Sequence, residues 1–265
     1  MSAEGHTQTQ SQAPRAGVLQ EQTWPAMRDG SWPVALLPFG ATEPHNTHLP
    51  YGTDTLLGTE VAARVAATCV ARGTGVVALP ALAFGVNTTQ LDLRFTLNVM
   101  PSTQLALLRD IVRSLEPHGV RALVLLNAHG GNELRALVRE LQPETRVMLA
   151  IVNWWQAADH ALFREPGDHA GALETAAMLH VAPHLVAPDR STWGDGATRP
   201  SALAGVRSGV AWMPRRWTQA TIDTGVGAPH EATADQGATF VAQAVERIAA
   251  FCLELAVADP DALWR

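Results

Sequence analysis

The chain has no lysine. All 19 of its basic residues are arginine, which excludes a Schiff-base lysine and the lysine of a phosphate-binding P-loop. Tyrosine occurs once, as Tyr51, so aromatic work falls to eight Trp and six Phe. The only cysteines, Cys69 and Cys252, each sit in an apolar helical pattern and read as buried thiols. Nothing supports a catalytic thiol, and no spacing suggests thiolate metal ligands. No apolar run approaches the length of a membrane span. A net charge of -6 argues against a nucleic acid or an anionic membrane as partner. Met1 to about Arg15 is rich in Gln, Ser and Thr and lacks the apolar segment of a signal peptide. Residues 1–20 are therefore expected to be a disordered tail, residues 21–265 a single domain, and the compartment cytoplasmic.

What is present is a globular composition, 47% hydrophobic and 17% charged over 265 residues, enough for a full core. Continuous apolar runs at Trp32–Phe39, Val76–Leu79, Ala122–Leu126 and Val147–Val152 read as strands covered on both faces. Helical spacing joins Leu56, Leu57, Val61, Val65 and Cys69, stopping at Gly73. It recurs at Leu105, Leu108, Ile111, Val112 and Leu115, with Ser102 expected as N-cap. A short helix holds Leu134, Leu137, Val138 and Leu141; another opens within Gly167–Thr175 and runs to about His180; a long one runs from about Ala232 to Ala256. Residues 188–217 are too irregular to assign. Strands alternating with helices predict an α/β three-layer sandwich, its central sheet mainly parallel and flanked by helices. Right-handed crossovers put every strand's C-terminal end on one edge, where such sheets bind ligands.

The post-strand loops carry the chemistry. Glu43, His45, His48 and Asp54 fall within twelve residues after the first strand, and anionic oxygen beside imidazole nitrogen is the donor set of a divalent cation. Asp54 is either a ligand or a helix N-cap; His48 is a third ligand or a packed histidine. His129, before two glycines, is a ligand or a satisfied loop histidine. Glu133 is explained most simply as a first-turn carboxylate. At the later helix start, Glu174 can point into the pocket as a ligand, His169 can move protons and Asp168 can cap or orient. Asn87 and Gln90 are expected in the substrate wall; Arg94 is an anion-binding residue or a solvated charge, and Trp154 and Trp155 are either pocket wall or buried packing.

At these residues the chain resembles the creatininase (creatinine amidohydrolase) family. The likeness runs through Gly40 to Asp54, Asn127 to Asn132, His169 to Thr175 and Gly227 to Gly237, in the family's order over roughly residues 32 to 250. It implies a dinuclear site in which Asp54 bridges two ions. Glu43 and His129 complete one ion's ligands, and His45 with a second glutamate the other's. In creatininases proper that glutamate stands two residues past the His129 position, here Gly131. In members with the His-Gly-Gly-Asn pattern the later segment supplies it, so Glu174 is expected, with Glu133 in reserve. His169 corresponds to the family's active-site histidine. The metals implied are Zn, Mn or Fe, and the assembly a homo-oligomer, often a hexamer.

Two departures fall where substrate would lie. Glu-Gln-His-Gly is here Glu43-Pro44-His45-Asn46, and Phe-Pro-Gly-Thr is Leu93-Arg94-Phe95-Thr96, with Gln90 in place of a loop histidine. They weigh against creatinine itself and leave the ligand set intact. The activity expected is hydrolysis of a C–N bond in a small amide, linear or cyclic. A hydroxide between the ions attacks, its pKa as water lowered from about 15.7 towards about 7, and His169, oriented by Asp168, protonates the leaving nitrogen. The alternatives are a lactonase or deformylase on the same ions, a metal-dependent isomerase, and a non-catalytic binding protein.

Overall fold

The computed structural model describes residues 13–264. Its elements are α1 (Trp24–Arg28), β1 (Val34–Phe39), α2 (Thr53–Ala71), β2 (Val76–Ala78), α3 (Pro101–Leu115), β3 (Ala122–Asn127), α4 (Leu134–Leu141) and β4 (Met148–Asn153). There follow α5 (Ala172–Val181), α6 (Ala204–Arg207), α7 (Trp217–Ala220) and α8 (Ala234–Val257). The four strands form one sheet in the order β2-β1-β3-β4, every pair parallel.

Alternation along the strands builds the three layers. Val34, Leu36, Val124 and Leu126 face the core shared with α2, α5 and α8. Ala35, Leu37, Leu123 and Leu125 face the other way, onto α3 and α4. Pro38 lies inside a central strand, where proline normally breaks a ladder. Here β2 has already ended at Ala78, opposite Leu36, and that side of Pro38 meets only a loop, whose Leu82 N–H donates to the Pro38 carbonyl. Phe39, Asn127 and Asn153 are in register, so the loops after β1, β3 and β4 leave at one level. The sheet's order reverses between β1 and β3, the crevice where open parallel sheets take their ligands.

Several local expectations change. The helix after residue 100 has no side-chain cap: Pro101 starts it, its fixed φ suiting the first turn, and Ser102 is exposed. The helix expected to open within Gly167–Thr175 begins at Ala172, in the later half of that stretch. Residues 13–20, expected within the tail, are held against the fold. Val18 is buried and bridges to Ala78, while Arg15 pairs with Glu21 and Glu60; the expectation for residues 1–12 lies outside the described residues. Cys69 and Cys252 are both buried. Among the described residues no helix is long and apolar enough to cross a membrane.

Candidate metal centre

The loop from Gly40 to Gly52 carries Glu43 and His45 over the end of β1 and delivers Asp54 in the first turn of α2. Gly52, not Thr53 or Asp54, occupies the N-cap, without a capping side chain. Asp54 is thus free to face inward, its charge favoured by the helix N-terminus. His129 follows β3, and Glu174 stands in the first turn of α5. Glu43, His45, Asp54, His129 and His169 are buried, and Glu174 is half-buried.

Three sets of donor atoms gather there, each within 4.8 Å: Glu43, Asp54 and His129; His45, Asp54 and Glu174; and Glu43, His45 and His169. Asp54 belongs to the first two. Its Oδ1 is 3.0 Å from His45 Nε2, and its Oδ2 is 3.2 Å from His129 Nδ1. Glu43 Oε1 lies 2.9 Å from His129 Nδ1 and 3.7 Å from His169 Nδ1.

The histidines share one arrangement. The outer nitrogen of each meets a backbone carbonyl: His45 Nδ1 on Glu43 O at 3.0 Å, His129 Nε2 on Val86 O at 3.2 Å, His169 Nε2 on Pro44 O at 2.8 Å. A carbonyl only accepts, so these nitrogens donate and the inner ones turn toward the carboxylates. This is how metal-binding histidines are oriented. Gln90 donates to the other oxygen of Glu43. Asn132 accepts from Val86 N–H and Gln104, holding in place the loop that carries the carbonyl for His129.

Charge is concentrated where water is excluded. Burial disfavours ionised His45, but the Asp54 carboxylate outweighs it and raises its pKa to about 10. His129 moves well above its ordinary value against burial, drawn by Glu43 and Asp54. Burial opposes ionisation of Asp54 as well, yet the two histidines hold it far below the usual range, and Glu43 is lowered by His129 and His169. Burial pushes Glu174 up. Asp54 Oδ2 receives no directed hydrogen bond, although a buried carboxylate oxygen normally has a donor. Mixed imidazole and carboxylate donors, with their outer atoms already committed, fit divalent ions such as Zn, Mn or Fe.

A cavity of about 300 Å³ opens onto Glu43, Asp54, His129 and Glu174. A second, of about 260 Å³, adjoins it, and both are lined by Gly130, Asp168, His169 and Glu174. A larger hollow of about 720 Å³ lies at the opposite end of β3 and β4, away from the donor sets.

The structure therefore brings Glu43, His45, Asp54, His129, His169 and Glu174 together. Asn87 and Gln90 line the first cavity, Trp155 the second. Trp154 does not: it is buried edge-on to Phe240, with centroids 5.7 Å apart, because its position after β4 faces α8. Arg94 is exposed and lies over Phe95, outside both cavities. Asp168 does not orient His169: it is paired with Arg215 at 3.0 Å, while Pro44 holds the imidazole. His48 is a packed histidine on Thr175 and Trp193, pushed down to about 4 by burial. Glu133 is exposed on the cavity rim and in none of the donor sets.

Sequence reasoning missed the wall formed by Trp212, Met213, Pro214, Arg215 and Trp217. Its one sequence signal is aromatic residues in an irregular segment. Asn46 was also missed as a hub. It adopts φ +56°, a region open to asparagine as well as glycine, and bonds Gly194 and Thr224.

A family model described as creatinine amidohydrolase matches residues 20–252. A mycofactocin precursor peptide peptidase of Mycobacterium ulcerans (strain Agy99) is 35% identical over 82% of this chain and 83% of its own. A crystal structure of a Bacteroides fragilis NCTC 9343 protein, provisionally described as creatinine amidohydrolase, superposes with a TM-score of 0.88 at 37% identity, covering 95% of this chain and 99% of that one. A zinc–zinc form of a creatininase variant shares the fold, with a TM-score of 0.70 at 24% identity over 90% of this chain and 98% of its own.

Proposed function

The chain belongs to the creatininase family, and from that premise we propose that it is a hydrolase of peptide C–N bonds that works with two divalent ions. One observation carries the reading: Asp54 offers an oxygen to each of two donor sets that otherwise share no residue. In this assignment Glu43 and His129 hold one ion, His45 and Glu174 the other, and Asp54 both. Bound there, the ions would supply an electrophile for the scissile carbonyl and a water of lowered pKa.

The chain's own groups do the rest. Nε2 of His169 is committed to Pro44 O, so Nδ1 is the atom that takes a proton and returns it to the leaving nitrogen. Gln90 holds Glu43 in place, and Trp217 stands edge-on to His169, with centroids 5.3 Å apart, narrowing water access.

A peptide is favoured over a compact ring by the paired cavities. They meet at His169 and Glu174, so a substrate with chain on both sides of the amide occupies both. A relative named as a precursor peptide peptidase supports the same class. The second reading, a small cyclic amide, rests on the family's description; Gln90 and the 93–96 stretch, where the sequence departs from creatininases proper, weigh against creatinine. The test is metal analysis followed by a screen of the Zn- or Mn-loaded protein against short peptides, cyclic amides, lactones and formamides. Peptide cleavage with solvent oxygen-18 in the new carboxylate is expected. Product of unchanged mass would indicate an isomerase instead, and two bound ions with no turnover a binding protein.

A further inference from the structure

We propose that Arg215 recognises a free carboxylate at the end of the substrate, which makes the natural substrate a peptide cut near its C-terminus. This rests on the peptide reading above and names its substrate class.

The lining of the catalytic cavity is acidic. Glu43, Asp54, Glu133, Asp168 and Glu174 face it, and Arg215 is its single guanidinium. In the assignment proposed above, the three inner carboxylates and their histidines would hold the ions. The permanent positive charge left for a substrate to meet is therefore Arg215, at the mouth.

Its placement is built. The guanidinium carbon lies 4.7 Å from the centre of the Trp217 ring, and stacking fixes the plane of an arginine fork. Trp217 is buried, its N–H held by Thr89 O at 3.1 Å and its indole N–H by Thr224 O at 2.8 Å. Arg215 thus sits two residues from a pinned anchor, although Trp212 and Met213 beside it are exposed. One nitrogen, Nη2, donates to Asp168 Oδ2 at 3.0 Å; no partner is found for Nε or Nη1 among the described residues. Both side chains are more than half exposed, 52% and 61%. An ion pair that open to water contributes little, so a substrate carboxylate that engages the fork through two N–H groups can displace or join Asp168. Asp168 precedes His169 in the chain and lines both cavities. A carboxylate on Arg215 therefore places the bond to be cut within a few residues of the peptide's end.

The test uses metal-loaded full-length protein and three probes: N-acetyl-trialanine as the free acid, the same peptide as C-terminal amide, and an amide with glutamate as its middle residue. Tryptophan fluorescence in a stopped-flow instrument reads binding before turnover, with Trp212 and Trp217 as reporters. Wild type is expected to bind the free acid about tenfold or more tighter than either amide, the size of one charge-assisted hydrogen-bond pair. Arg215→Met should abolish that preference, through weaker binding of the free acid, without lowering the melting temperature. Asp168→Asn, which removes the competitor, should strengthen it. Equal binding of acid and plain amide by wild type overturns the proposal. So does a preference kept in Arg215→Met, because the ions then take the carboxylate, or a glutamate amide that binds as well as the acid. Hydrolysis is followed separately. Cleavage without acid preference leaves the function standing and removes this inference; acid preference without cleavage keeps Arg215 as a carboxylate site and overturns the peptidase reading together with the cut near the C-terminus.

Discussion

A β-carbon on Gly131 would lie 2.4 Å from His129 Nε2 and 2.5 Å from Val86 O, on the hydrogen bond that orients this ligand. A β-carbon on Gly85 would likewise crowd this ring, at 2.8 Å from its Cδ2. A glutamate at position 131 is therefore incompatible with this placing of His129, which favours Glu174 of α5 as the candidate second glutamate. Gly131→Ala is expected to lower activity about 10- to 100-fold through lost metal affinity, read as metal per chain after gel filtration; full occupancy would sink it. The adjacent Gly130 has open space beside it, so Gly130→Ala is the control. Asp54→Ala should lose both ions, whereas His169→Ala should keep them and lose turnover; full metal content in Asp54→Ala would end the bridging assignment. These candidate ligands were legible because each follows a strand or opens a helix, where loop position and residue type coincide. Arg215 was not, since its role depends on Trp217 and Asp168, and the latter is 47 residues away. Trp154 shows the converse: a residue after a strand can still turn into the core.

The strands were readable because sheets covered on both faces leave unbroken apolar runs. Segment 188–217 was not, because its fold is held by bonds such as Asn46 to Gly194, 148 residues apart, which leave no periodicity. Helix starts were less readable than the strands: the cap expected at Ser102 is absent, and the one at Thr233 went unread. Thr233 and Gln236 form a capping box at the start of α8, whereas α3 starts on proline without one. Thr233→Ala should cost about 1 kcal/mol, lowering the melting temperature by about 2–4 °C for a domain of this size, with metal content unchanged. Gly237, one turn on, is a different case. A β-carbon there would lie 1.9 Å from Ala176 O, in the backbone of α5, the helix that presents Glu174. Gly237→Ala should therefore move α5, destabilise the fold more than Thr233→Ala, and weaken the ion held by His45 and Glu174. Calorimetry with metal titration separates the two helix variants; equal metal affinity in both would refute the coupling.

At the scale of the molecule, Val210 and Trp212 are more than four-fifths exposed on one segment beside the cavity. Apolar side chains grouped at a surface mark contact sites, and a homo-oligomer is the expected solution state, checked by light scattering. The buried charge cluster sets the response to pH. His45, raised to about 10 from 6.5, contributes stability that is complete below 6.5 and is lost as pH climbs through its folded value. Asp54, lowered from 3.8, contributes above 3.8 and loses that contribution as pH falls. The metal-free fold should therefore draw most from this cluster between the two ordinary values and weaken toward alkaline pH. Ions replace the protons on His45 and His129, so binding releases protons and tightens as pH rises, by about 1.4 kcal/mol per pH unit for each proton released. The gain in melting temperature on adding zinc to chelator-treated protein should accordingly widen from about pH 6 to about pH 9. Scans with and without zinc at each pH measure it directly. A constant gain would mean that His45 and His129 carry no proton in the metal-free protein; the cations would then not be exchanging for protons at these two nitrogens, and the assignment of His45 and His129 as ligands would lose its electrostatic basis.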